Sequence, residues 1–223
     1  MNPASSSQSP STPSPRQKAT VVREYGPFPV ERVHGVTHDG THLWFAHGTK
    51  IAAVNPETGA IEKEVEVSAE AGTAFDGEHL YQIGEDKIRK VDPKTGRVVA
   101  TLATPGMTKD NSGLAWEGGT LWVGQYKGRA IHQIDATTGK VLKTLRSDRF
   151  VTGVSFADGD LWHGTWEEDT TELRRVDPAT GRVLETLEMP AGGVSGLEAK
   201  GDLLFCGGIK TPVVRAVKRP SRK

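Results

Sequence analysis

The sequence predicts an all-β protein, a five-bladed β-propeller of four-stranded blades whose ring is closed by the N-terminal strand. The first observation is a unit of about 40 residues that occurs five times in the 223-residue chain. The second is a leucine followed by an aromatic residue at the same place in most units. The third is a turn sequence repeated near the end of four units. Four-stranded units of this length, arranged radially, are typical of a propeller.

Each unit begins with a glycine ahead of a short apolar strand. These leading glycines are Gly35, Gly72, Gly113, Gly153 and Gly196, with spacings of 37, 41, 40 and 43 residues. The fourth unit shows its strands most clearly, because "GRVLETLEM" alternates apolar and polar residues with the period of a strand. The strands predicted for this unit are 151–157, 160–166, 172–177 and 182–188.

The repeated turn reads "VDPATGRV" in the fourth unit and "VNPETGAI", "VDPKTGRV" and "IDATTGKV" in the first three. In such a sequence the aspartate accepts hydrogen bonds from the backbone just beyond it, proline fixes φ, and glycine adopts the left-handed conformation. A residue that performs chemistry is usually needed once, whereas a structural device is needed in each unit. We therefore predict that this motif connects the third strand of a blade to the fourth.

The fifth unit stops at "VVRAVKRP", after its third strand, and lacks the turn and the fourth strand. The stretch "TVVREYGPFPVERVHG" near the N-terminus matches "RVLETLEMPAGGVSG" at the end of the fourth unit, including the approach to the leading glycine. We therefore predict that residues 19–25 complete the last blade. This pairing would protect the strand edges that an incomplete ring leaves open.

Three segments are predicted along the chain. Residues 1–18 are rich in serine and proline and cannot bury enough apolar surface to offset the entropy of ordering, so we expect a disordered tail. Residues 19–220 form the propeller, and residues 221–223 form a short basic tail.

Charge and composition limit the partners and compartments. The 28 basic and 28 acidic residues balance, which argues against binding to nucleic-acid phosphates. No segment approaches the ~20 apolar residues of a membrane-spanning helix, and the N-terminus lacks the apolar core of a secretory signal. We expect a cytoplasmic monomer that binds neither nucleic acid nor membranes. The single Cys206 excludes an internal disulfide.

Function is expected on the face where first strands begin and second strands end, which we call the top face. Its connections vary in length and chemistry, while the turns on the opposite, bottom face are short and uniform. Polar and aromatic side chains there predict a pocket for a small molecule or peptide. The candidate substrate-binding residues are His34, His47, Asp110, Asn111, Gln125, Tyr126, Thr165 and Trp166. The alternatives are a water-filled propeller mouth and, for Trp166 alone, a rim residue that covers a neighbouring blade.

Glu198 is a candidate catalytic acid or base. The other units have Thr37, Ala74, Ala115 and Ser155 at its position, so a carboxylate among them is unusual. Burial near the axis would raise its pKa, although an ion pair with a nearby lysine or arginine is an equal alternative.

A metal site is the other chemistry considered for the top face. His34, His47 and Glu85 offer ligand types that suit zinc or a similar ion. The sequence contains no close-spaced pair of ligands that would support such a site, so we predict neither a metal nor a cofactor.

The units "SGLAWEGGTLWVGQYKGRAIHQIDATTGKV" and "TGVSFADGDLWHGTWEEDTTELRRVDPATGRV" resemble blades of the glutaminyl-peptide cyclotransferases, which are five-bladed propellers. The resemblance covers residues 19–220. It implies conversion of an N-terminal glutamine to pyroglutamate with release of ammonia and without a metal or cofactor. It also implies that Trp166 lines the pocket.

The chain departs from the pattern of this family at its first two leading glycines. The family has a glutamine before the first and a glutamate before the second, where this chain has His34 and Ala71. Glu70 and Glu85 are the nearby carboxylates that could replace the missing acid, and Glu85 is a candidate catalytic residue with Glu198. Two further classes remain open, a non-catalytic propeller that binds a small molecule or peptide and a protein-interaction propeller.

Overall fold

Strands form all of the regular structure in the described part of the chain. The computed structural model describes residues 14–106 and 110–221. Over these residues the chain forms 21 strands and no helix, and therefore no helix that could cross a membrane. The strands group into five sheets, which confirms the predicted five-bladed propeller.

The first strand of each blade lies at the axis, and the later strands follow outward. β1 (Arg16–Lys18) and β2 (Val21–Tyr25) precede the first blade in the chain. Blade 1 contains β3 (Val36–His38), β4 (Leu43–Ala46), β5 (Gly48–Val54) and β6 (Ile61–Ala69). Blade 2 contains β7 (Thr73–Phe75), β8 (Leu80–Gly84), β9 (Lys87–Val91) and β10 (Val98–Ala103). Blade 3 contains β11 (Asn111–Glu117), β12 (Thr120–Gln125), β13 (Ala130–Asp135) and β14 (Val141–Arg146). Blade 4 contains β15 (Phe150–Ala157), β16 (Asp160–Glu167), β17 (Thr170–Val176) and β18 (Val183–Glu188). Blade 5 contains β19 (Leu197–Lys200), β20 (Leu203–Gly207) and β21 (Val214–Lys218), followed outward by β2.

The innermost strands contact one another in a closed ring. Their order is β3, β7, β11, β15 and β19, and β19 contacts β3 again. β2 supplies the fourth strand of blade 5 by antiparallel pairing with β21, in which Val21 lies opposite Val217 and Tyr25 opposite Val214. The predicted closure of the ring by the N-terminal strand is therefore confirmed.

The strands predicted for the fourth unit agree with blade 4. The observed strands β15 to β18 have ends within two residues of the predicted ones. The agreement follows from the alternation of apolar and polar residues, since the same alternation places one face of each strand in the core.

The leading glycines pack backbone against backbone at the axis. A Cβ atom on Gly153 would lie 2.6 Å from the backbone nitrogen of Leu197, which follows the leading glycine of blade 5. A Cβ on Gly196 would lie 2.5 Å from the nitrogen of Val36 in blade 1, and the other leading glycines have the same kind of neighbour. No real side chain fits at such distances, so the sequence repeat begins with glycine because neighbouring blades approach this closely.

The repeated turn has the predicted chemistry. In blade 4 the Asp177 Oδ1 accepts a hydrogen bond from the Ala179 amide at 2.8 Å, and the Gly181 amide donates to the Asp177 carbonyl at 2.8 Å. Gly181 has a φ of +78°, the left-handed conformation that favours glycine. The motif therefore connects β17 to β18 and is part of the scaffold.

Three of these turns also accept hydrogen bonds from a lysine or arginine of the preceding blade. Lys63 Nζ on β6 donates to the Lys94 carbonyl at 2.8 Å, and Lys143 Nζ on β14 donates to the Pro178 carbonyl at 3.1 Å. Arg23 on β2 donates to the Pro56 carbonyl at 2.8 Å in the same way. These bonds connect the outer strand of one blade to the turn of the next.

The core lies between the blades. Trp44, Trp122 and Trp162 occupy equivalent positions in three second strands and are at most 2% exposed. The Trp44 Nε1 donates to Asp39 Oδ2 at 2.7 Å, which ties this buried ring to a bottom turn. Large side chains thus fill the space between blades, and the segments around the leading glycines reach the axis.

Blade 4 carries a fifth strand that the sequence did not predict. β1 pairs in parallel with β18, with Arg16 opposite Thr186. The Arg16 guanidinium lies 2.7 Å from Glu172 Oε1, a buried carboxylate, and 3.0 Å from Glu188 Oε1. The disordered tail predicted for residues 1–18 therefore ends too late, since residues 16–18 form this strand. The strand could not be predicted because the residues that it pairs with are distant in sequence. Residues 1–13 of that tail and residues 222–223 of the basic tail lie outside the described residues.

Removal of β2 is expected to unfold most of the molecule. A chain lacking residues 1–25 would expose the edge of β21 and its buried Val214 and Val217, whereas a chain lacking residues 1–20 keeps this pairing. Urea unfolding should therefore show a large loss of stability for the first truncation and a small loss for the second. Equal unfolding midpoints would contradict closure by β2.

Alanine at a leading glycine is expected to be far more damaging than alanine at a turn glycine. Gly153→Ala places a Cβ against the backbone of Leu197, so we expect a loss of more than about 3 kcal/mol or insoluble protein. Gly118 has a φ of +48° and open space around it, so Gly118→Ala should cost about 1 kcal/mol. Thermal unfolding of both variants makes the comparison, and similar losses would rule out the close packing.

Candidate functional site

A cavity of about 370 Å³ opens at the top of the axis. The residue before each leading glycine lines it, so that every blade contributes one side chain to a set that we call the pre-glycine ring. The members of this ring are His34, Ala71, Ser112, Thr152 and Ser195. The other lining residues are Arg32, Glu70, Asn111, Tyr126, Val194 and Ile209. The size and the mixture of apolar and polar groups are typical of small-ligand sites.

Two serines of the pre-glycine ring connect blades. Ser112 Oγ donates to the Val151 carbonyl at 2.7 Å, and Ser195 Oγ donates to the Val33 carbonyl at 2.6 Å. Each bond runs from one blade to the next and holds the cavity wall in place.

Two other polar atoms of the cavity lack a protein partner. Thr152 Oγ1 and Asn111 Oδ1 are buried and form no hydrogen bond with any described residue. Thr152 as a whole is only 4% exposed. A buried polar atom without a partner costs about 1–3 kcal/mol, so these two atoms are suited to bind a polar ligand.

Glu70 places a carboxylate at the cavity. Its Oε2 accepts a hydrogen bond from the backbone amide of Glu85 at 3.1 Å. Its own amide donates to the Ile83 carbonyl at 3.2 Å, which fixes the backbone on which it stands. This bond orients the carboxylate, which is exposed to solvent beside the cavity.

Glu85 does not line the cavity. It has a φ of +50° in the tight turn between β8 and β9, and its carboxylate forms an ion pair with Arg89. The side chain is 65% exposed. The backbone amide of Glu85 donates to Glu70, while its own carboxylate pairs with Arg89.

His34 brings a neutral imidazole to the cavity. Burial lowers its pKa from the ordinary value, the positive charge of Arg32 lowers the pKa further, and Glu70 partly opposes this. The His34 amide donates to the Ala46 carbonyl at 2.8 Å, which anchors the segment. A neutral ring can accept a proton at one nitrogen and donate one at the other.

Tyr126 forms an aromatic wall of the cavity. Its ring stacks on Phe150 with centroids 4.7 Å apart, and the Arg129 guanidinium covers the far side of Phe150 at 4.2 Å. Arg129 pairs in turn with Glu167 at 2.8 Å. Burial, together with the charge of Glu167, raises the pKa of Tyr126, so its hydroxyl stays protonated.

Gln125 and Asp110 support this wall from outside the cavity. Gln125 Nε2 donates to the Pro105 carbonyl at 2.9 Å, and its Oε1 contacts His132 Nε2 at 3.0 Å. Asp110 Oδ2 accepts the Gly128 amide at 2.6 Å. Their polar groups are used within the protein.

Thr165, Trp166 and His47 also lie outside the cavity lining. Thr165 Oγ1 is fully buried and accepts a hydrogen bond from Arg149 Nε at 3.1 Å. Trp166 packs beside Gly193, close to Ile209, and thus stands behind the cavity wall. The His47 ring lies 3.4 Å from Glu64 Oε1, toward the outer part of blade 1.

The structure thus brings three of the predicted substrate-binding residues to the cavity, His34, Asn111 and Tyr126. Arg32, Val194 and Ile209 line the cavity but were not singled out in the sequence. Val194 could have been predicted to line the cavity from its position in the repeat. Like Glu70 and Asn111, it stands two residues before a leading glycine. Over residues 14–106 and 110–221, no cluster of three potential metal ligands occurs.

Glu198 lies on β19, away from the cavity lining. Thr37 Oγ1 of the neighbouring blade donates to its Oε2 at 3.3 Å. Burial raises the pKa of Glu198 to about 8, while the Thr37 bond and the charge of Lys200 act against this shift. The Glu198 carboxyl group therefore stays protonated to a higher pH than an ordinary glutamate.

Comparison with known proteins supports the fold. A crystal structure of Myxococcus xanthus glutaminyl cyclase matches with a TM-score of 0.77, covering 92% of this chain and 98% of that chain, at 18% sequence identity. No protein-family model and no curated protein matches the chain. The predicted resemblance is thus confirmed for the architecture. The chain is a five-bladed propeller with the same architecture as that glutaminyl cyclase.

The stability of the protein is expected to depend on pH through Glu198. The folded-state pKa of about 8 exceeds the ordinary 4.5, so the unfolded chain ionises first as the pH rises. The free energy of unfolding should fall by up to about 1.4 kcal/mol for each pH unit across this interval. Stability from this group is complete below the ordinary pKa and lost as the pH rises through the folded-state value.

Glu198→Gln tests this dependence, because glutamine resembles the protonated acid and stays neutral. The variant should match the wild type at about pH 4.5 and exceed it in stability at about pH 9 in urea unfolding. Glu78→Gln, on a bottom turn, is the control, since this side chain is 84% exposed. A difference between Glu198→Gln and wild type that is constant with pH would contradict the assignment.

Proposed function

We propose that the axial cavity binds an N-terminal glutamine of a peptide or small molecule and cyclises it to pyroglutamate. The observation that carries this proposal is the combination of one oriented carboxylate, Glu70, with two unpartnered polar atoms on Asn111 and Thr152. The name of the solved structural neighbour supplies the reaction class, and the cavity supplies the groups that such a reaction needs.

The cavity groups match the polar groups of such a ligand. A protonated amine pairs with the Glu70 carboxylate. The side-chain amide of the ligand donates an N–H to Asn111 Oδ1, and its carbonyl oxygen accepts a hydrogen bond from the Thr152 hydroxyl. Val194, Ile209 and Tyr126 provide apolar contacts for the methylene groups.

The reaction is an intramolecular acyl transfer. The amine nitrogen attacks the side-chain amide carbon, the new C–N bond closes the lactam, and the bond from that carbon to the amide nitrogen breaks. Two protons leave the ammonium nitrogen, one before the attack and one as the lactam forms, and both reach the departing nitrogen, so ammonia is released as ammonium. Glu70 carries these protons one at a time, and each delivery returns the carboxylate to its starting state.

The Thr152 hydroxyl stabilises the charge that develops on the carbonyl oxygen. The neutral His34 lies at the same cavity and provides a second route for the proton. Holding both ends of the glutamine supplies the proximity on which ring closure depends.

Glu70 is preferred over the two carboxylates predicted from sequence because of its position. Glu85 lies outside the cavity lining and is paired with Arg89, and Glu198 stands on the inner strand of blade 5, also outside the lining. Glu70 is the carboxylate that lines the cavity and is oriented by a backbone amide.

Substitution of Glu70 is expected to abolish turnover. Glutaminyl peptides incubated with purified protein should release ammonia and lose its mass, measured by mass spectrometry. Glu70→Gln should lower kcat/KM by about a hundredfold or more, because the variant cannot move a proton. Glu85→Gln should retain activity because the backbone amide of residue 85 is unchanged, and Glu78→Gln serves as the matched control on the bottom face.

Two results would redirect the assignment. Loss of turnover in Glu85→Gln but not in Glu70→Gln would assign the proton-transfer role to Glu85 in place of Glu70. Absence of turnover in the wild type, with binding of glutaminyl peptides seen by calorimetry, would place the protein in the non-catalytic binding class.

A further inference from the structure

We propose that the cavity selects glutaminyl ligands that carry a carboxylate about one residue beyond the glutamine, and that Arg32 binds this carboxylate. The inference rests on the proposed function and adds the substrate class. It concerns Arg32, a cavity residue for which the cyclisation chemistry has no use.

Arg32 is a cation at the cavity with no acidic partner. It lines the same cavity as Glu70, and within the described residues it forms no ion pair or hydrogen bond through its side chain. Its exposed neighbour Glu31 does not pair with it either. A guanidinium with five free donors is suited to bind a carboxylate through two parallel hydrogen bonds.

The backbone that carries Arg32 is held in place on both sides. The Phe28 ring stacks on Phe45 with centroids 4.4 Å apart, and the Phe28 amide donates to the Pro212 carbonyl at 2.8 Å. Val33 is fully buried, and its carbonyl accepts the Ser195 hydroxyl at 2.6 Å. Arg32 therefore stands on an ordered segment, which lowers the entropy lost when it binds an anion.

Arg32 and Glu70 form two poles of opposite charge at one cavity. Both act on the imidazole of His34, where Arg32 lowers the pKa and Glu70 raises it, so both charges lie near this ring. A ligand with an amine at one end and a carboxylate at the other satisfies both poles. Since the Glu70 pole takes the amine of the glutamine, the Arg32 pole remains for an anionic group farther along the ligand.

The size of the cavity limits the distance between these ligand groups. A volume of about 370 Å³ is near the lower end for ligand pockets, so the cavity suits a ligand of about two residues. Arg32 is an exposed residue of this cavity. The carboxylate can come from the free C-terminus of a dipeptide or from an acidic second residue of a longer chain. The shared chemistry is a carboxylate at this distance.

The test compares glutaminyl ligands that have or lack a carboxylate beyond the glutamine. Glutaminyl-alanine with a free carboxylate is compared with its C-terminal amide, and glutaminyl-aspartyl-alanine amide is the third substrate. We expect wild-type KM to be about tenfold lower for the free acid than for the amide, as a charged hydrogen bond would give. A low KM for the third substrate would assign the preference to acidic second residues as well, and a high KM would restrict it to the free C-terminus.

Arg32→Gln should remove the preference, so that KM for the free acid rises to the value for the amide. Arg97→Gln is the matched control, because this exposed arginine lies in a turn on the bottom face and should keep the preference. Equal KM for acid and amide in the wild type, or a preference that survives in Arg32→Gln, would overturn the proposal.

The experiments distinguish failure of the proposed cyclase activity from failure of the proposed carboxylate binding by Arg32. If no ammonia is released from any substrate, the cyclase assignment fails, and calorimetric affinities for the same acid and amide still decide the role of Arg32. If turnover occurs with equal KM values, the cyclase assignment stands and the role of Arg32 is wrong. If the wild type neither turns over nor binds these ligands, both are wrong.

Discussion

The close packing of the leading glycines at the axis is the constraint on which the rest of this propeller depends. A Cβ on Gly153 would stand 2.6 Å from the Leu197 amide nitrogen, so glycine is required where blades meet. Because the backbones approach this closely, the residue before each glycine reaches the common axis. The pre-glycine ring, and with it the cavity, is therefore a geometric result of glycine packing. A change of chemistry in such a ring needs only side-chain substitutions and no change of fold.

Packing at the axis is complemented by bonds at the periphery. Lys63 and Lys143 extend from outer strands to the turns of the following blades, and Arg23 does the same across the point of ring closure. The turn motif therefore has a second use, since its carbonyl groups point outward and accept these cations. Core tryptophans fill the space between the two zones. Three of the five pairs of neighbouring blades are thus fixed to each other at the rim as well as at the axis.

The fold could be predicted from sequence because its determinants are local. Glycine at a close approach and aspartate in a turn are required by the backbone itself, and each recurs in several units. The cavity was predicted less well because its membership depends on where side chains point. Trp166 lies near the end of its strand at the top face yet packs beside Ile209, and Glu85 contacts Glu70 through its backbone amide and Arg89 through its carboxylate. β1 was missed because Arg16 finds its partner Glu172 only in the folded chain.

The pairing of β2 with β21 also governs the order in which the molecule can assemble. Glu24 and Arg215, which contact each other across this pair, are 191 positions apart in the chain. A ribosome releases the N-terminal strand first, yet that strand has no place to dock until the last blade has been synthesised. Contacts between such distant residues slow folding, because a long loop must close before they form. Nascent chains therefore carry β2 as an unpaired, partly apolar strand while the five blades are synthesised, and this is the interval in which misassembly is most to be expected.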